Sequence, residues 1–163
     1  MRWFRHLFAP PAHRLFSPEC LQRIATAIAE GERLHSGEVM FAVESSLDLG
    51  AIRAGVEARA AAEAAFARLR TWDTEANNGV LIYLLLAEHR IEIVADRGLA
   101  GKVSPQEWQA VCTQVEAGMR DGQPEAAVTA GVRAASALLA REYPAAPGQD
   151  GQNELPDLPQ ILR

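Results

Sequence analysis

Two short stretches hold most of the residues able to do chemistry, Asn77-Asn78-Gly79 and Asp96-Arg97-Gly98, with Asp73 and Glu75 just upstream of the first. Carboxylates, amide oxygens and backbone carbonyls are hard donors, the kind Ca²⁺ gathers in sets of about six to eight. Asp73, Glu75 and Asp96 would be the charged ligands of such a site. The set is not an EF-hand loop, because the evenly spaced acidic ligands and the terminal Glu are absent. Arg97 is a side chain suited to phosphate, although an ion pair with its neighbour Asp96 is the commoner use of such a residue. Asn also tolerates φ > 0 and bonds to nearby backbone, so Asn77 and Asn78 serve equally as turn formers.

Glu44-Ser45-Ser46 follows the first predicted strand, at the edge where open α/β sheets bind ligands. With Asp48 close behind, capping of the next helix is the plainer role. The chain carries no G-x-S-x-G elbow, Walker A loop or H-E-x-x-H. Gly98-Leu99-Ala100-Gly101 lacks the dinucleotide-binding spacing, and His6, His13, His35 and His89 are scattered without recognisable partners. The two cysteines, Cys20 and Cys112, form neither a C-x-x-C nor a zinc-ligand pattern. Cys112 falls among apolar positions and reads as core. Cys20 lies in the first turn of a predicted helix, where the dipole can lower its pKa, but with no nearby His or second Cys a reactive role is not expected.

The elements that must position these residues are legible from periodicity and caps. Ser17-Pro18 opens a helix bearing Leu21, Ile24 and Ile28 at helical spacing. Glu38 to Val43 reads as a strand apolar on both faces, hence interior. Leu47 to Arg70 reads as one long alanine-rich helical segment able to approach a sheet closely. Val80 to Ala87 is a continuous apolar run, the most buried strand. Glu88-His89 turns it into a third strand, Arg90 to Ala95, as an antiparallel hairpin. The hairpin brings Asn77 and Asn78 beside Asp96, Arg97 and Gly98. Ser104, Pro105 and Glu107 make a capping box, with Val103 stapled to Trp108, ahead of a stripe of Val111, Cys112, Val115 and Met119. A last helix runs from Pro124 to near Tyr143.

The expected fold is therefore α/β: a helix–sheet–helix sandwich around a mixed sheet, with a parallel β-α-β unit, an antiparallel hairpin and two C-terminal helices. An N-terminal arm, 1–16, precedes the domain at 17–143, and a Pro- and Gly-rich tail, 144–163, follows it, either disordered or extended against the domain. The arm mixes Arg2, Arg5 and Arg14 with Trp3, Phe4, Phe8 and Phe16. That composition suits a membrane interface, but Pro10-Pro11 forbid one continuous helix, which favours a strap whose aromatics dock on the domain.

With 163 residues, 48% hydrophobic and 23% charged, the chain fits one domain with one core. A net charge of −5 offers nucleic acid no general attraction. No apolar run reaches the roughly 20 residues that span a bilayer, and no secretory signal is visible at the N-terminus. The expected compartment is the cytoplasm, peripheral to a membrane if the arm touches one.

Ser36-Gly37-Glu38-Val39, Asn77-Asn78-Gly79-Val80-Leu81-Ile82-Tyr83-Leu84 and Ile91-Glu92-Ile93-Val94-Ala95-Asp96-Arg97-Gly98-Leu99, followed by Pro124 to Leu139 around Ala130-Gly131-Val132, resemble the TPM domain family in their order and surroundings. The resemblance covers about residues 17–143 and implies the same sandwich. Family members are often membrane-anchored or exported, some bind calcium, and acid phosphatase activity has been attributed to a plant branch. Other roles are tied to assembly or repair of membrane complexes. The chain resembles the short branch without a membrane helix. Where many relatives carry Asp-Asn-Gly it has Asn77-Asn78-Gly79, and where many carry Gly-Leu-Glu-Gly it has Gly98-Leu99-Ala100-Gly101. Each change removes a carboxylate from the calcium site the family implies, while Asp96 remains.

Two functions follow as expectations. The first is a non-catalytic module binding a protein partner, a membrane protein included, through Asn77, Asn78, Gly79, Arg97 and Gly98, with Ca²⁺ the one cofactor in view. The alternative is a metal-dependent phosphatase on phosphomonoesters, with Asp96 and Asp73 on metal and Arg97 on phosphate.

Overall fold

The computed structural model describes residues 2–148 and 153–163. Strands β1 (Glu38–Glu44), β2 (Gly79–Leu85), β3 (Arg90–Ala95) and β4 (Gln160–Leu162) form one sheet in the order β3-β2-β1-β4. β1 runs parallel to β2, and β2 pairs antiparallel with β3 through the turn at Glu88-His89. His89 makes that turn by adopting φ 52°. The α/β sandwich expected from the sequence is the fold observed.

Alternation along the strands splits the core in two. Val39, Phe41, Val43, Ile82, Leu84 and Ile93 face a layer made by α3 (Pro18–Glu32), α6 (Pro105–Arg120) and α7 (Pro124–Glu142). Met40, Ala42, Leu81, Tyr83 and Leu85 face α5 (Ala58–Arg68), whose Ala58, Ala61, Ala62 and Ala65 lie flat on the sheet. Both N-terminal signals read from sequence are built. The Ser17 hydroxyl accepts from the Cys20 amide ahead of α3, and Ser104 and Glu107 close a reciprocal capping box on α6.

Two expectations need correction, and for the tail, left open between disorder and an extended course, the described end takes the extended one. The segment from Leu47 to Arg70 is two helices, α4 (Leu49–Arg53) and α5, not one. Gly55, at φ 73°, turns the chain between them, a conformation that ends a right-handed helix. The end of the tail is a strand: β4 pairs parallel with β1 at Ala42–Glu44, completing the burial of β1 between two neighbours. Four tail positions, 149–152, lie outside the described residues. The arm is not a strap of docked aromatics. It forms two short helices, α1 (Arg2–Leu7) and α2 (Ala12–Leu15), parted at Pro10-Pro11. Only Phe16 enters the core, against Phe41, while Trp3, Phe4 and Phe8 stay exposed.

Cys112 is buried as expected, but Cys20 is buried too and does not behave as a helix-start thiol. Burial, reinforced by Glu125, pushes the Cys20 thiol up to about 11, and burial does the same to Cys112. Both thiols are therefore expected to resist alkylation at pH 8 in the native protein and to react fully in denaturant. A thiol-reagent titration with and without urea checks this. Prompt native labelling of either cysteine would contradict it.

Candidate functional site

Parallel pairing of β1 with β2, and the antiparallel return of β3, bring three chain segments to one end of the sheet: 36–38, 71–79 and 95–101. Backbone bonds fix the last two together. The Asp96 amide donates to the Gly79 carbonyl at 2.9 Å, and the Gly98 amide donates to the Asn77 carbonyl at 2.8 Å. The Arg97 guanidinium adds a side-chain link, Nε donating to Asn77 Oδ1 at 3.1 Å. Asn77 takes φ 52°, as an asparagine at a turn can. No side chain fits at Gly98, where a Cβ would lie 2.4 Å from the Asn77 carbonyl oxygen. Asn78 is fully buried and acts as a brace: its amide donates to Thr74 Oγ1 at 3.1 Å and its Nδ2 to the Ser36 carbonyl at 3.2 Å.

The residues singled out at Asn77–Gly79 and Asp96–Gly98 thus meet. The acidic residues expected beside them make other contacts. Asp73 pairs with Arg70 at 2.6 Å, and the Glu75 amide is held by Glu154 from the C-terminal segment. Asp96 Oδ1 accepts from the Arg97 amide at 2.7 Å, capping the single 3₁₀ turn Arg97–Leu99, while its Oδ2 is buried without a partner. Among the described residues no group of three or more His, Cys, Asp or Glu side chains is gathered where a metal ion could bind. Asp73, Glu75 and Asp96 therefore do not share one ligand set.

Sequence reading missed three parts of this edge. The Tyr143 hydroxyl, from the end of α7, donates to the Gly98 carbonyl, and Lys102 lies over the same ring at 4.4 Å. His35 is buried under the 36–38 segment, with Nδ1 bonded to the Gly37 carbonyl, and burial depresses its pKa below the usual value. A groove of about 390 Å³ also runs beside the loops along the outer edge of β3, lined by Arg59, Ile93, Asp96, Arg97 and Trp108 among others. β3 is the exposed edge strand, yet its outward backbone is occupied: Arg59 donates to the Ile93 carbonyl at 2.6 Å and the Ile91 amide donates to Glu116 at 3.4 Å. Such side-chain caps blunt an edge against strand addition. Apart from the His35–Gly37 bond, each of these contacts joins residues far apart in the chain and so leaves no local sequence signal.

At the other end of the sheet, where Glu44-Ser45-Ser46 lies, the arm packs against residues 45–48, leaving an open depression of about 720 Å³ between them and the end of β4. Ser45 Oγ accepts from the Ala12 amide at 2.9 Å, and the Leu47 amide donates to His6 Nδ1 at 3.1 Å. Asp48 caps α4 through the Ala51 amide.

Known proteins give the same frame. The sequence model of the TPM domain matches residues 12–138. The chain belongs to the TPM domain family. Its match begins at Ala12, so the second arm helix and Phe16 count as part of the TPM domain. Among solved structures, the NMR structure of BA42 protein from the psychrophilic bacterium Bizionia argentinensis aligns over 90% of this chain and 95% of that one, with a TM-score of 0.76 and 24% identity. That likeness shows the TPM fold and nothing of the chemistry. No curated protein matches the chain. Among the described residues of this TPM protein, no helix is long and apolar enough to cross a membrane.

Proposed function

We propose that this TPM protein is a non-catalytic binding module that engages a protein partner, a membrane protein included, through the edge formed by Asn77–Gly79 and Asp96–Gly101. The observation that carries this reading is the mutual locking of the two loops. Arg97 and Gly98 are bonded to Asn77, and Tyr143 holds Gly98 from behind. A preordered surface binds with less lost conformational entropy than a mobile one. The groove beside it offers the mixture an interface core uses, with Trp108 and Ile93 apolar and Arg97 and Arg59 charged. Arg59 and Glu116 block strand addition, so a partner would be read by side chains in the groove and by the loop tips.

The deciding experiment is a pull-down with the wild-type protein and with Arg97→Glu. Arg97 is exposed, so the variant keeps its core. A specific prey is expected to bind the wild type and to lose at least about tenfold in affinity to the variant once purified, as for a charge reversal at an interface. The opposing result is no prey together with turnover of a chromogenic phosphomonoester that chelator and Asp96→Ala both abolish. That outcome would replace the binding module with a metal-dependent phosphatase.

A further inference from the structure

Helix α1 carries its amphipathicity turned outward. Arg2 and His6, one turn apart, face the domain and both reach Glu88, His6 Nε2 at 2.9 Å. His6 Nδ1 accepts from Leu47 on the other side of the ring, so the imidazole is a fixed polar bolt, almost fully buried. The apolar side chains are left outside: Trp3, Phe4, Leu7 and the following Phe8 are 46, 41, 62 and 75% exposed. They gather on one another, with ring centroids 3.8 Å apart for Trp3 and Phe4 and 6.4 Å for Phe4 and Phe8. Among the described residues, four of the nine exposed large hydrophobic ones thus fall within six consecutive positions. Scattered apolar residues need no explanation, but a cluster of this kind marks a contact surface.

The charge of the arm's own sequence is also opposite to that of the whole. The chain is −5 overall, yet residues 1–18 contain no Asp or Glu and carry Arg2, Arg5 and Arg14. Arg5 and Arg14 are exposed. Arg5 and Phe8 line a shallow depression that His89 and Arg120 border from the body. Aromatic rings with cationic neighbours are the pair that a lipid headgroup layer satisfies, rings at the acyl boundary and guanidinium groups on phosphate.

We propose that α1 with Phe8 seats the protein on the surface of a bilayer containing anionic lipid, with Trp3, Phe4 and Phe8 in the interface and Arg5 on lipid phosphate. A second copy of the chain is the poorer occupant. A symmetric contact through this patch would bring Arg5 of both copies into one interface, and like charges gathered there disfavour it. The geometry also orients the molecule. α1 lies at the carboxyl ends of β1 and β2, whereas the locked loops lie at their amino ends, so a seated protein presents the loop edge away from the lipid. The proposal stands apart from the partner reading of that edge.

The test is flotation of the full chain with vesicles of phosphatidylcholine alone and of phosphatidylcholine mixed with phosphatidylserine. Binding to the mixed vesicles is expected to exceed binding to the neutral ones by at least about tenfold and to fall as salt is raised. The variant Trp3→Ser/Phe4→Ser/Phe8→Ser removes only exposed side chains. It should keep the wild-type circular dichroism and melting temperature and lose the binding. Arg5→Glu should weaken binding to the mixed vesicles alone. Equal flotation of wild type and triple variant, or no flotation with anionic vesicles, would overturn the proposal. Concentration-dependent dimerisation without lipid, abolished by the triple variant, would overturn it as well by assigning the patch to a second copy.

Discussion

Gly79→Ala should cost at least about 3 kcal/mol of folding stability, the range of severe overpacking. A Cβ at Gly79 would lie 2.0 Å from the Thr71 carbonyl oxygen and 3.1 Å from its carbon, and neither atom can step aside. Thr71 is fully buried, its amide donates to the Phe66 carbonyl, and the preceding Arg70 is already held at φ 57°. Gly79 is pinned from the other side by its register with Glu38 and by the bond from Asp96. Relief would have to come from the loop that carries Asn77 and Asn78, so the same substitution should also weaken any ligand of that edge. Thermal unfolding followed by circular dichroism checks the first part, with a drop of roughly 6–12 °C expected for a chain of this size. Gly122→Ala is the matched control. Gly122 has φ 72° with nothing within 4 Å, so alanine there meets only backbone strain, about 1 kcal/mol. Equal losses at the two glycines would show that the 71–78 loop yields.

Local signals account for what could be read in advance. The strands carry alternating or continuous apolar residues, the α6 capping box is written in Ser104, Pro105 and Glu107, and the hairpin register follows from a short turn. Once the hairpin is known, the meeting of Asn77 with Arg97 and Gly98 follows by counting along the two strands. What could not be read depends on distant partners. β4 is three residues long and follows closely on Pro156 and Pro159; only its pairing with β1 makes it a strand. The break at Gly55 is silent in a run of alanines, because one glycine within a helical pattern is tolerable on propensity alone. The arm misleads for an energetic reason. Aromatic residues are ordinarily buried, and the strap reading assumed it, but Glu88 and Leu47 supply polar partners to Arg2 and His6 and so turn the other face of α1 outward. At the loop edge, residue types announced oxygen donors, but Arg70 and Glu154, which occupy Asp73 and the Glu75 amide, could be found only in the folded chain.

The second large effect lies where the C-terminal segment meets the domain, and it is set by pH. Glu32 ends α3 with its carboxyl largely withdrawn from water. Burial raises its pKa to about 9, although the Val39 amide, 2.9 Å away, favours the ionised form, and Glu38 and Asp157 raise it further. Burial likewise raises Glu38 to about 7, opposed by the amides of Glu154 and Leu155 that it accepts from. None of the groups that shift either carboxyl is basic. An unfolded Glu titrates near about 4.3. Between that value and the folded values the native chain holds the extra protons, so stability contributed here is complete below about pH 4 and is lost as pH rises through 7 and then 9. The melting temperature should therefore fall steadily from pH 5 to pH 9. Glu32→Gln cannot ionise, yet its Oε1 can still accept from Val39 and its amide can donate to Asp157. The variant is expected to match the wild type within about 0.5 kcal/mol at pH 5 and to exceed it by about 2 kcal/mol at pH 9, partial access to water moderating the full effect. Glu38→Gln should gain less, because one of the two tail amides loses a charged acceptor. Urea unfolding of both variants across pH 5–9 decides the matter. Parallel curves for wild type and Glu32→Gln would mean that Glu32 is ionised in the native protein throughout, and that the C-terminal segment is held by its backbone pairing to β1 and its bonds to Glu38 and Glu75, without help from a protonated Glu32.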